Sequence, residues 1–473
     1  MLFRQIFDPH LAQYAYLIGC QRTKEALIID PQRDIDRYID AAKEEGLRIT
    51  AVAETHIHAD YLSGVREFVA RGGVEAYVSD EGDADWKYEW AKDAGSNVHL
   101  VHDGDTFKVG NIKLEVIHTP GHTPEHICFL LTDEGGGASE PMGLISGDFV
   151  FVGDLGRPDL LETAAGNIGA REPSARALYE SVQHLNQMPG YLQIWPGHGA
   201  GSACGKALGS VPQSTLGYEM LNNASILAAT SGEQNFVDFI LEGQPEPPLY
   251  FARMKKENKL GPAILGKLPQ PGRISVENLA EAAGNQESVV LDTRPRSEFF
   301  NGHLAGSLLA PFGKSLPTVA GSYILPEQTI YLVAEEENID AIVRDLIRIG
   351  LDNIGGFVTP EDLENADLTT TEVIDFADVV TRRANPATVV VDVRKQDEVD
   401  RGMIEGAVHI PHVRLLERMG ELPKDKTLLV HCQSGVRSAV ASALLSASGF
   451  NAVYVNDHFR NAKDVVDADK VVA

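Results

Sequence analysis

The chain has 473 residues, which is too long for one hydrophobic core and fits about three domains at the usual ~100–200 residues each. Its composition, 43% hydrophobic and 23% charged, is that of a globular protein. The formal net charge of −27 argues against nucleic acid and anionic membrane surfaces as partners, because both would be repelled.

Targeting signals and disulfides are not expected either. No apolar run approaches the ~18 residues that a membrane span needs. Asp8, Pro9 and His10 stand where a signal peptide would have its apolar stretch, so we expect a cytoplasmic protein. The cysteines lack CxxC spacing and do not predict a disulfide framework. They are Cys20 and Cys128, which are expected to pack in apolar strands, and Cys204 and Cys432.

The first predicted site begins in the strand-to-helix turn THIHADY. Three apolar strands follow, LEVIHT, MGLIS and YLQIW, and each breaks into Gly or Pro. Every break delivers a histidine or an aspartate to the mouth of a strand. The candidate residues are His56, His58, Asp60, His122, Asp148 and His198. Imidazole and carboxylate suit a borderline or hard divalent cation, and the lack of a nearby Cys pair argues against a closed structural zinc.

Two stretches that contain proline and glycine divide the chain. The predicted layout is a first domain over 1–250, a linker over 251–272, a second domain over 273–362 and a third over 363–473. The last two are repeats, because VVLDTRPRSEFFNGHLAGSLLAP aligns with VVVDVRKQDEVDRGMIEGAVHIP without a gap at an offset of 100 residues. Strands that alternate with helices predict a parallel α/β sheet in each repeat.

In the third domain the strand TLLVH delivers Cys432 into a short loop that runs into a helix. Loop amides, the helix dipole and the charge of Arg437 are expected to lower the pKa of the thiol. The loop can also cradle an anion or a terminal sulfur through its N–H groups. Its other residues are Gln433, Ser434, Gly435, Val436 and Ser438. A phosphatase loop of the CxxxxxR type places its arginine one position later, so the loop here forms a smaller cradle than the phosphatase spacing would give.

The second domain repeats the scaffold without the thiol, because the chain has no cysteine between 204 and 432. When its strand IYLV is aligned with TLLV, Glu335 takes the position of Cys432 and Asp340 that of Arg437. Acidic residues would repel an anionic cargo. We therefore expect an inactive spacer or docking domain.

The order HxHxD, GH, GD and PGHG in about the first 240 residues resembles the metallo-β-lactamase superfamily, whose fold is an αββα sandwich with metals at the edge of two sheets. The superfamily pattern continues as HxHxDH, but Tyr61 stands at its last histidine. Phenol is a poor ligand at neutral pH because it must lose a proton of pKa about 10. A second metal site using Asp60, His198 and a bridging Asp148 is therefore weakened, which favours a mononuclear centre.

The third domain resembles the rhodanese family of sulfurtransferases, which carry a persulfide on the cysteine of a CxxGxR loop. The spacing of Cys432 and Arg437 fits this family, so the resemblance favours sulfur transfer over phosphate hydrolysis. The whole chain resembles the persulfide dioxygenase/rhodanese fusion proteins. That resemblance implies one Fe(II) per chain, held by His56, His122 and Asp148, with Zn as the alternative metal. It implies that a small-molecule persulfide and O2 give sulfite and a thiol, and that Cys432 passes sulfane sulfur to sulfite to make thiosulfate, or first feeds sulfur to the iron site.

The resemblance also assigns supporting roles. His58, Asp60 and His198 are expected to orient ligands or bound water, and would be ligands in a zinc-loaded or dinuclear site.

Four further residues are placed with the substrate. Arg157 and Asp159, in VGDLGRPDLL, are candidates to bind a thiol cosubstrate, and a structural salt bridge is an equal alternative for Arg157. Cys204 lies shortly after His198 and is either a thiol relay or a small core side chain. Tyr61 is grouped with these substrate-binding residues.

Two other functions stay open. One is a zinc-dependent, glyoxalase II-like thioester hydrolase with independent rhodanese domains, against which Tyr61 speaks. The other is a non-catalytic sulfur carrier or sensor in which Cys432 ferries persulfide to a partner, against which the intact metal triad speaks. A homo-oligomer is the modest default.

Overall fold

The computed structural model describes residues 1–163, 166 and 168–462, so the end of the predicted third domain, 463–473, lies outside the described residues. The chain divides into two compact units, Met1–Leu268 and Pro269–Ala473. Within the described ranges, no helix is both long and apolar enough to cross a membrane.

Two six-stranded sheets form the centre of the first unit. The first sheet follows chain order, with β1 Leu2–Asp8, β2 Gln13–Cys20, β3 Glu25–Ile29, β4 Arg48–Ala53, β5 Glu75–Ser79 and β6 Val98–Val101. The second contains β7 Thr106–Val109, β8 Ile112–His118, β9 Ile127–Asp133, β10 Gly143–Gly147, β11 Gln193–Pro196 and β12 Ser214–Thr215. Its strands also lie side by side in chain order, and β10 and β11 pair in parallel, which brings their carboxyl ends to one edge.

Helices cover the outer faces of both sheets. They are α1 Asp36–Glu44, α2 Val65–Arg71, α3 Leu160–Thr163, α4 Arg171–Leu185, α5 Leu216–Asn222, α6 Ala224–Thr230, α7 Glu233–Leu241 and α8 Tyr250–Leu260. Because successive side chains of a strand point to opposite faces, Ile29 of β3 joins Phe129 in the core between the sheets, whereas Ile28 packs with Tyr38 of α1. Helices α4, α6 and α7 cover the second sheet. The predicted αββα sandwich is confirmed.

The second unit contains two parallel sheets, one in each repeat. The first has the order β14, β13, β15, β16 and comprises β13 Ser288–Asp292, β14 Leu308–Leu309, β15 Thr329–Val333 and β16 Ile354–Val358, with α9 Val276–Ala283, α10 Arg296–Asn301, α11 Leu316–Tyr323 and α12 Ile339–Arg348. We call this the middle repeat. Its register places Asp292 opposite Val333.

The last repeat follows the same plan. It comprises β17 Val373–Ile374, β18 Thr388–Asp392, β19 Val408–His409, β20 Thr427–His431 and β21 Asn451–Val455, with α13 Phe376–Arg382, α14 Gln396–Asp400, α15 Leu415–Arg418 and α16 Val436–Ala447. The sheet order is β17, β21, β20, β18, β19, and Asp392 lies opposite His431. All strand pairs described in both sheets are parallel, so the predicted α/β architecture of the repeats is confirmed.

Helix α8 lies in the segment 251–272 that the sequence predicts as a linker, and it packs on the first unit. Asn258 is 1% exposed, and its amide donates to the backbone carbonyls of His58 at 2.8 Å and Tyr61 at 2.7 Å. Its Oδ1 accepts from the N–H of Ser63 at 2.9 Å. This part of the segment is therefore a support for the turn THIHADY, because the amide satisfies three buried backbone groups. The remaining domain boundaries stay predictions.

Candidate functional site

Three buried side chains from neighbouring strand ends face one another in the first unit. His56 follows β4, His122 follows β8, and Asp148 comes directly after β10. His122 Nε2 lies 3.5 Å from Asp148 Oδ2, and His56 Nε2 lies 3.9 Å from the same oxygen. One donor atom of each residue lies within 4.8 Å of the others. The three side chains could therefore hold one metal ion.

The carboxylate of Asp148 is placed as a cation ligand would be. Its side chain is fully buried, yet within the described chain neither carboxylate oxygen accepts a hydrogen bond. A buried carboxylate without a donor or a cation is strongly unfavourable. The approach to it is also kept open, because a Cβ at Gly197 would lie 2.4 Å from Asp148 Oδ1. The residues present thus fit a divalent cation.

The two imidazoles are held with Nε2 facing the carboxylate. His122 Nδ1 lies 2.9 Å from the backbone oxygen of Arg157, to which it donates. His56 Nδ1 lies 3.0 Å from Thr55 Oγ1, whose own proton goes to Asp30 Oδ2, so the imidazole is again the donor at Nδ1. Burial lowers the pKa of both rings and favours the neutral form. Neutral imidazoles with free Nε2 lone pairs are the form that binds metals.

A second group of possible ligands lies beside the first. Asp60, His198 and Cys204 each place a donor atom within 4.8 Å of the others. His198 Nε2 lies 3.3 Å from Asp60 Oδ2 and 3.6 Å from Asp148 Oδ1. Burial, followed by the charges of Asp60 and Asp148, raises the pKa of the Cys204 thiol well above its usual value. The thiol is therefore neutral unless a cation offsets these carboxylates.

His58 and Tyr61 bind each other behind these groups. The Tyr61 hydroxyl lies 2.9 Å from His58 Nε2, and the same nitrogen lies 3.3 Å from Asp30 Oδ1. Burial lowers the pKa of His58, but the hydrogen bond to Asp30 and the charges of Asp30 and Glu54 outweigh it and raise the pKa to about 9. Burial raises the pKa of Tyr61 well above its usual value, so the phenol stays protonated. Nε2 of His58 is thus engaged away from a metal.

The second candidate site is the loop between β20 and α16 in the last repeat. Cys432 is 1% exposed, and the Ser438 hydroxyl donates to its Sγ at 3.4 Å. Gly435 has a φ of +84°, which glycine adopts without strain and which lets the loop turn into the helix. Gln433 and Val436 are exposed at the loop surface. The sulfur therefore lies at the amino end of a twelve-residue helix, where the helix dipole favours an anion.

Arg437 is engaged by Glu398 from the first turn of α14. Its Nη2 donates to Glu398 Oε1 at 2.8 Å, and Nη1 donates to Oε2. Burial raises the pKa of Glu398, but the pair with Arg437 outweighs burial and leaves the pKa below its usual value. The cation that the sequence places beside Cys432 is therefore balanced by a carboxylate.

Comparison with known proteins identifies a family for each of the two regions that contain these sites. Residues 9–198 match the metallo-β-lactamase superfamily, and residues 376–461 match the rhodanese-like domain. The chain is 31% identical over 205 residues to the mitochondrial persulfide dioxygenase ETHE1 of Bos taurus, covering 42% of this chain and 68% of that protein. The chain belongs to the metallo-β-lactamase superfamily and carries a rhodanese-like domain. The resemblance to persulfide dioxygenase/rhodanese fusions is confirmed.

Other relatives of the metallo-β-lactamase domain have names that indicate different chemistry. The probable polyketide biosynthesis zinc-dependent hydrolase BaeB of Bacillus velezensis is 26% identical over 210 residues, covering 44% of this chain and 83% of that protein. The crystal structure of a metallo-β-lactamase from Staphylococcus aureus superposes with a TM-score of 0.67 at 43% identity and covers 76% of this chain and 99% of that one. The superfamily alone therefore does not choose between oxidation and hydrolysis.

In the middle repeat the strand register corrects the alignment of the rhodanese loop by one residue. Asp292 lies opposite Val333 where Asp392 lies opposite His431, so Ala334 occupies the position of Cys432. Glu335 therefore lies one position beyond it. The middle repeat still has no thiol at this position, as the sequence predicts.

Arg157 and Asp159 form a buried pair beside the metallo-β-lactamase site. Arg157 Nε and Nη2 donate to the Asp159 carboxylate at 2.8 and 2.6 Å, and Nη1 donates to the backbone oxygen of Ala203 at 3.0 Å. Arg157 is 1% exposed. The hydrogen bonds of Arg157 thus connect the segment after Asp148 with the loop of Cys204. Contact of Arg157 or Asp159 with a substrate stays a prediction.

Sequence reasoning missed several residues that shape these sites. Asp30 follows the apolar strand β3 with a φ of +54° and accepts from the N–H of Thr55 at 2.7 Å. Its place at a strand end was a usable signal. Asn258 and Arg296 lie in polar helical segments with nothing to distinguish them.

Proposed function

We propose that this protein oxidises a low-molecular-weight persulfide with O2 at one iron ion and transfers sulfane sulfur through Cys432. The observation that carries the first half is the buried Asp148 carboxylate, which accepts no N–H or O–H hydrogen bond from the described residues and faces Nε2 of His56 and His122. The persulfide dioxygenase relative supports the choice of substrate.

His56, His122 and Asp148 would hold the Fe(II). When bound, the ion would supply the redox chemistry between a persulfide and O2. The overall reaction, RSSH + O2 + H2O → RSH + SO3²⁻ + 2 H⁺, balances in atoms and charge. The chain's own contribution is to orient the imidazoles through Thr55 and the Arg157 carbonyl.

A single metal is supported by Tyr61, which cannot replace the imidazole of the HxHxDH pattern and binds His58 instead. The alternative is a zinc-dependent thioester hydrolase, and one observation favours it. Asp60, His198 and Cys204 form a second ligand group, and His198 also approaches Asp148. The zinc-dependent hydrolase relative supports the same reading.

The second half of the proposal is sulfur transfer at the rhodanese-like loop. Sulfite attacks the outer sulfur of the Cys432 persulfide, the persulfide S–S bond breaks, and the electron pair leaves on Cys432 Sγ. The products are thiosulfate and the free thiolate. The position of Cys432 at the start of α16 favours that thiolate as a leaving group.

The deciding experiment measures metal content and oxygen uptake on protein purified without oxygen. We expect about one iron per chain and oxygen consumption when glutathione persulfide is added. The His122→Ala variant should lose oxygen uptake, whereas Cys432→Ser should keep it and lose the transfer of sulfane sulfur to sulfite. Two zinc ions per chain, turnover of S-lactoylglutathione and no oxygen uptake would establish the hydrolase instead.

A further inference from the structure

We propose that the middle repeat completes the sulfurtransferase site, with Arg296 supplying the cation that receives a sulfur oxyanion, sulfite or thiosulfate, at the Cys432 loop. The inference rests on the proposed role of Cys432 as sulfur carrier. It gives the middle repeat a binding function in place of the inactive spacer or docking domain that the sequence predicts.

Two arginines of the last repeat that lie near the loop are already paired with carboxylates. Arg437 donates two hydrogen bonds to the carboxylate of Glu398, so the pair presents little net charge to a dianion. Arg394 is 2% exposed, and its Nη2 donates to Asp392 Oδ2 at 2.6 Å. The chain as a whole carries a formal charge of −27, which repels an approaching anion.

Arg296 reaches this loop from the first turn of α10. Its Nη1 lies 3.4 Å from the backbone oxygen of Ser434 and 3.3 Å from the Tyr454 hydroxyl. A Cβ at Gly435 would lie 3.0 Å from the same nitrogen, so a larger residue would crowd the guanidinium. Within the described ranges no carboxylate pairs with Arg296. A guanidinium has five N–H donors, so several remain for a ligand.

The position of Arg296 is anchored by an aromatic contact between the repeats. Phe300, one turn further along α10, stacks on Tyr454 with ring centroids 4.3 Å apart and an interplanar angle of 26°. The Tyr454 hydroxyl in turn donates to the Gly435 oxygen at 3.0 Å. Tyr454 thus joins the middle repeat to the loop. At the matching place in the last repeat stands Gln396, which is uncharged.

Sulfur transfer between two anions requires a nearby positive charge. Transfer brings a persulfide monoanion and a sulfite dianion together, and both charges remain on the products, a thiolate and thiosulfate. A fixed planar guanidinium can bind two oxygens of the oxyanion and offset this repulsion without needing to reorganise. A lysine keeps the charge but lacks the planar pair of donors.

The test uses the full chain with Arg296→Met, Arg296→Lys and, as matched control, Arg344→Met. Arg344 lies on α12 of the same repeat and pairs with Asp340 four residues earlier. We measure sulfur transfer from thiosulfate to cyanide, and single-turnover loading of Cys432 from cysteamine persulfide, which carries no net charge. For Arg296→Met we expect KM for thiosulfate to rise about tenfold or more, the scale of one charge-assisted hydrogen bond.

Loading from cysteamine persulfide should be unchanged in Arg296→Met, Arg296→Lys should restore part of the thiosulfate affinity, and Arg344→Met should match the parent protein. An unchanged KM for thiosulfate in Arg296→Met would overturn the inference. An equal loss of activity with thiosulfate and with cysteamine persulfide would also overturn it, because Arg296 would then order the loop rather than bind the anion. Sulfur transfer that survives in Cys432→Ser refutes the carrier role itself, whatever Arg296 does.

Discussion

Replacing Asn258 by alanine should destabilise the metal-binding turn, although Asn258 is not a candidate ligand. The side chain is 1% exposed and binds the carbonyls of His58 at 2.8 Å and Tyr61 at 2.7 Å, as well as the N–H of Ser63 at 2.9 Å. Alanine removes the partner of all three backbone groups. Each is in a buried turn where water does not readily replace the amide.

The size of the effect follows from these three contacts. At roughly 1 kcal/mol for each buried group left without its partner, the low end of the usual cost, the loss is about 3 kcal/mol. For a unit of this size, where 1 kcal/mol shifts Tm by about 2–4 °C, the melting temperature should fall by roughly 6–12 °C. The affinity for the metal should fall by about 10- to 100-fold, as is typical when a residue supporting the ligands is lost.

Differential scanning calorimetry of the metal-free and iron-loaded full chain measures the first quantity, and competition with a chelator measures the second. Asn222→Ala is the matched control, because Asn222 is exposed on α5 and its amide donates to the Tyr218 oxygen one turn away. The control should melt like the parent protein. If Asn258→Ala also melts within about 2 °C of the parent and keeps its iron, the support role is refuted.

Three further outcomes are expected. Gly197→Ala should abolish iron binding measured by metal analysis, because the new Cβ would lie 2.4 Å from Asp148 Oδ1. Asp392→Asn should cost about 3–5 kcal/mol at pH 7 in denaturant unfolding, because it leaves Arg394 buried without its partner. Burial raises the pKa of Asp392, but His431 and Arg394 outweigh it and lower the pKa, so this difference should fade as the pH falls below about 4. Chelation should abolish oxygen uptake and lower Tm, and Fe²⁺ should restore both, whereas Zn²⁺ should restore Tm alone.

The strand ends were readable from sequence because apolar strands stop abruptly at Gly or Pro. His122 and Asp148 each follow such a break, and the structure brings them within 3.5 Å of each other. The alignment of the repeats likewise predicted both parallel sheets, since matching strand and helix patterns at a fixed offset require matching folds.

The register of the middle repeat could not be read in this way. Strands β15 and β20 are nearly continuous runs of apolar residues in sequence, and they lack the alternation of apolar and polar residues that fixes register. An offset that was one residue too short therefore aligned the two strands equally well. Only the observed strand pairing shows that Ala334 occupies the position that Cys432 has in the last repeat. Asn258 and Arg296 were hidden for another reason, because a polar residue on a helix is ordinarily solvated.

The two proposed reactions share sulfite, which is the product of one and the acceptor of the other. Sulfite released as a dianion must be captured by a chain whose formal charge is −27. At physiological ionic strength the screening length is about 8 Å, so distant acidic residues lose most of their influence and nearby charges decide capture. Glu398 balances Arg437, whereas Arg296 lies against the same loop and pairs with no carboxylate among the described residues, so its charge can act within this range. A repeat that lost its thiol would thereby keep a function in sulfur transfer.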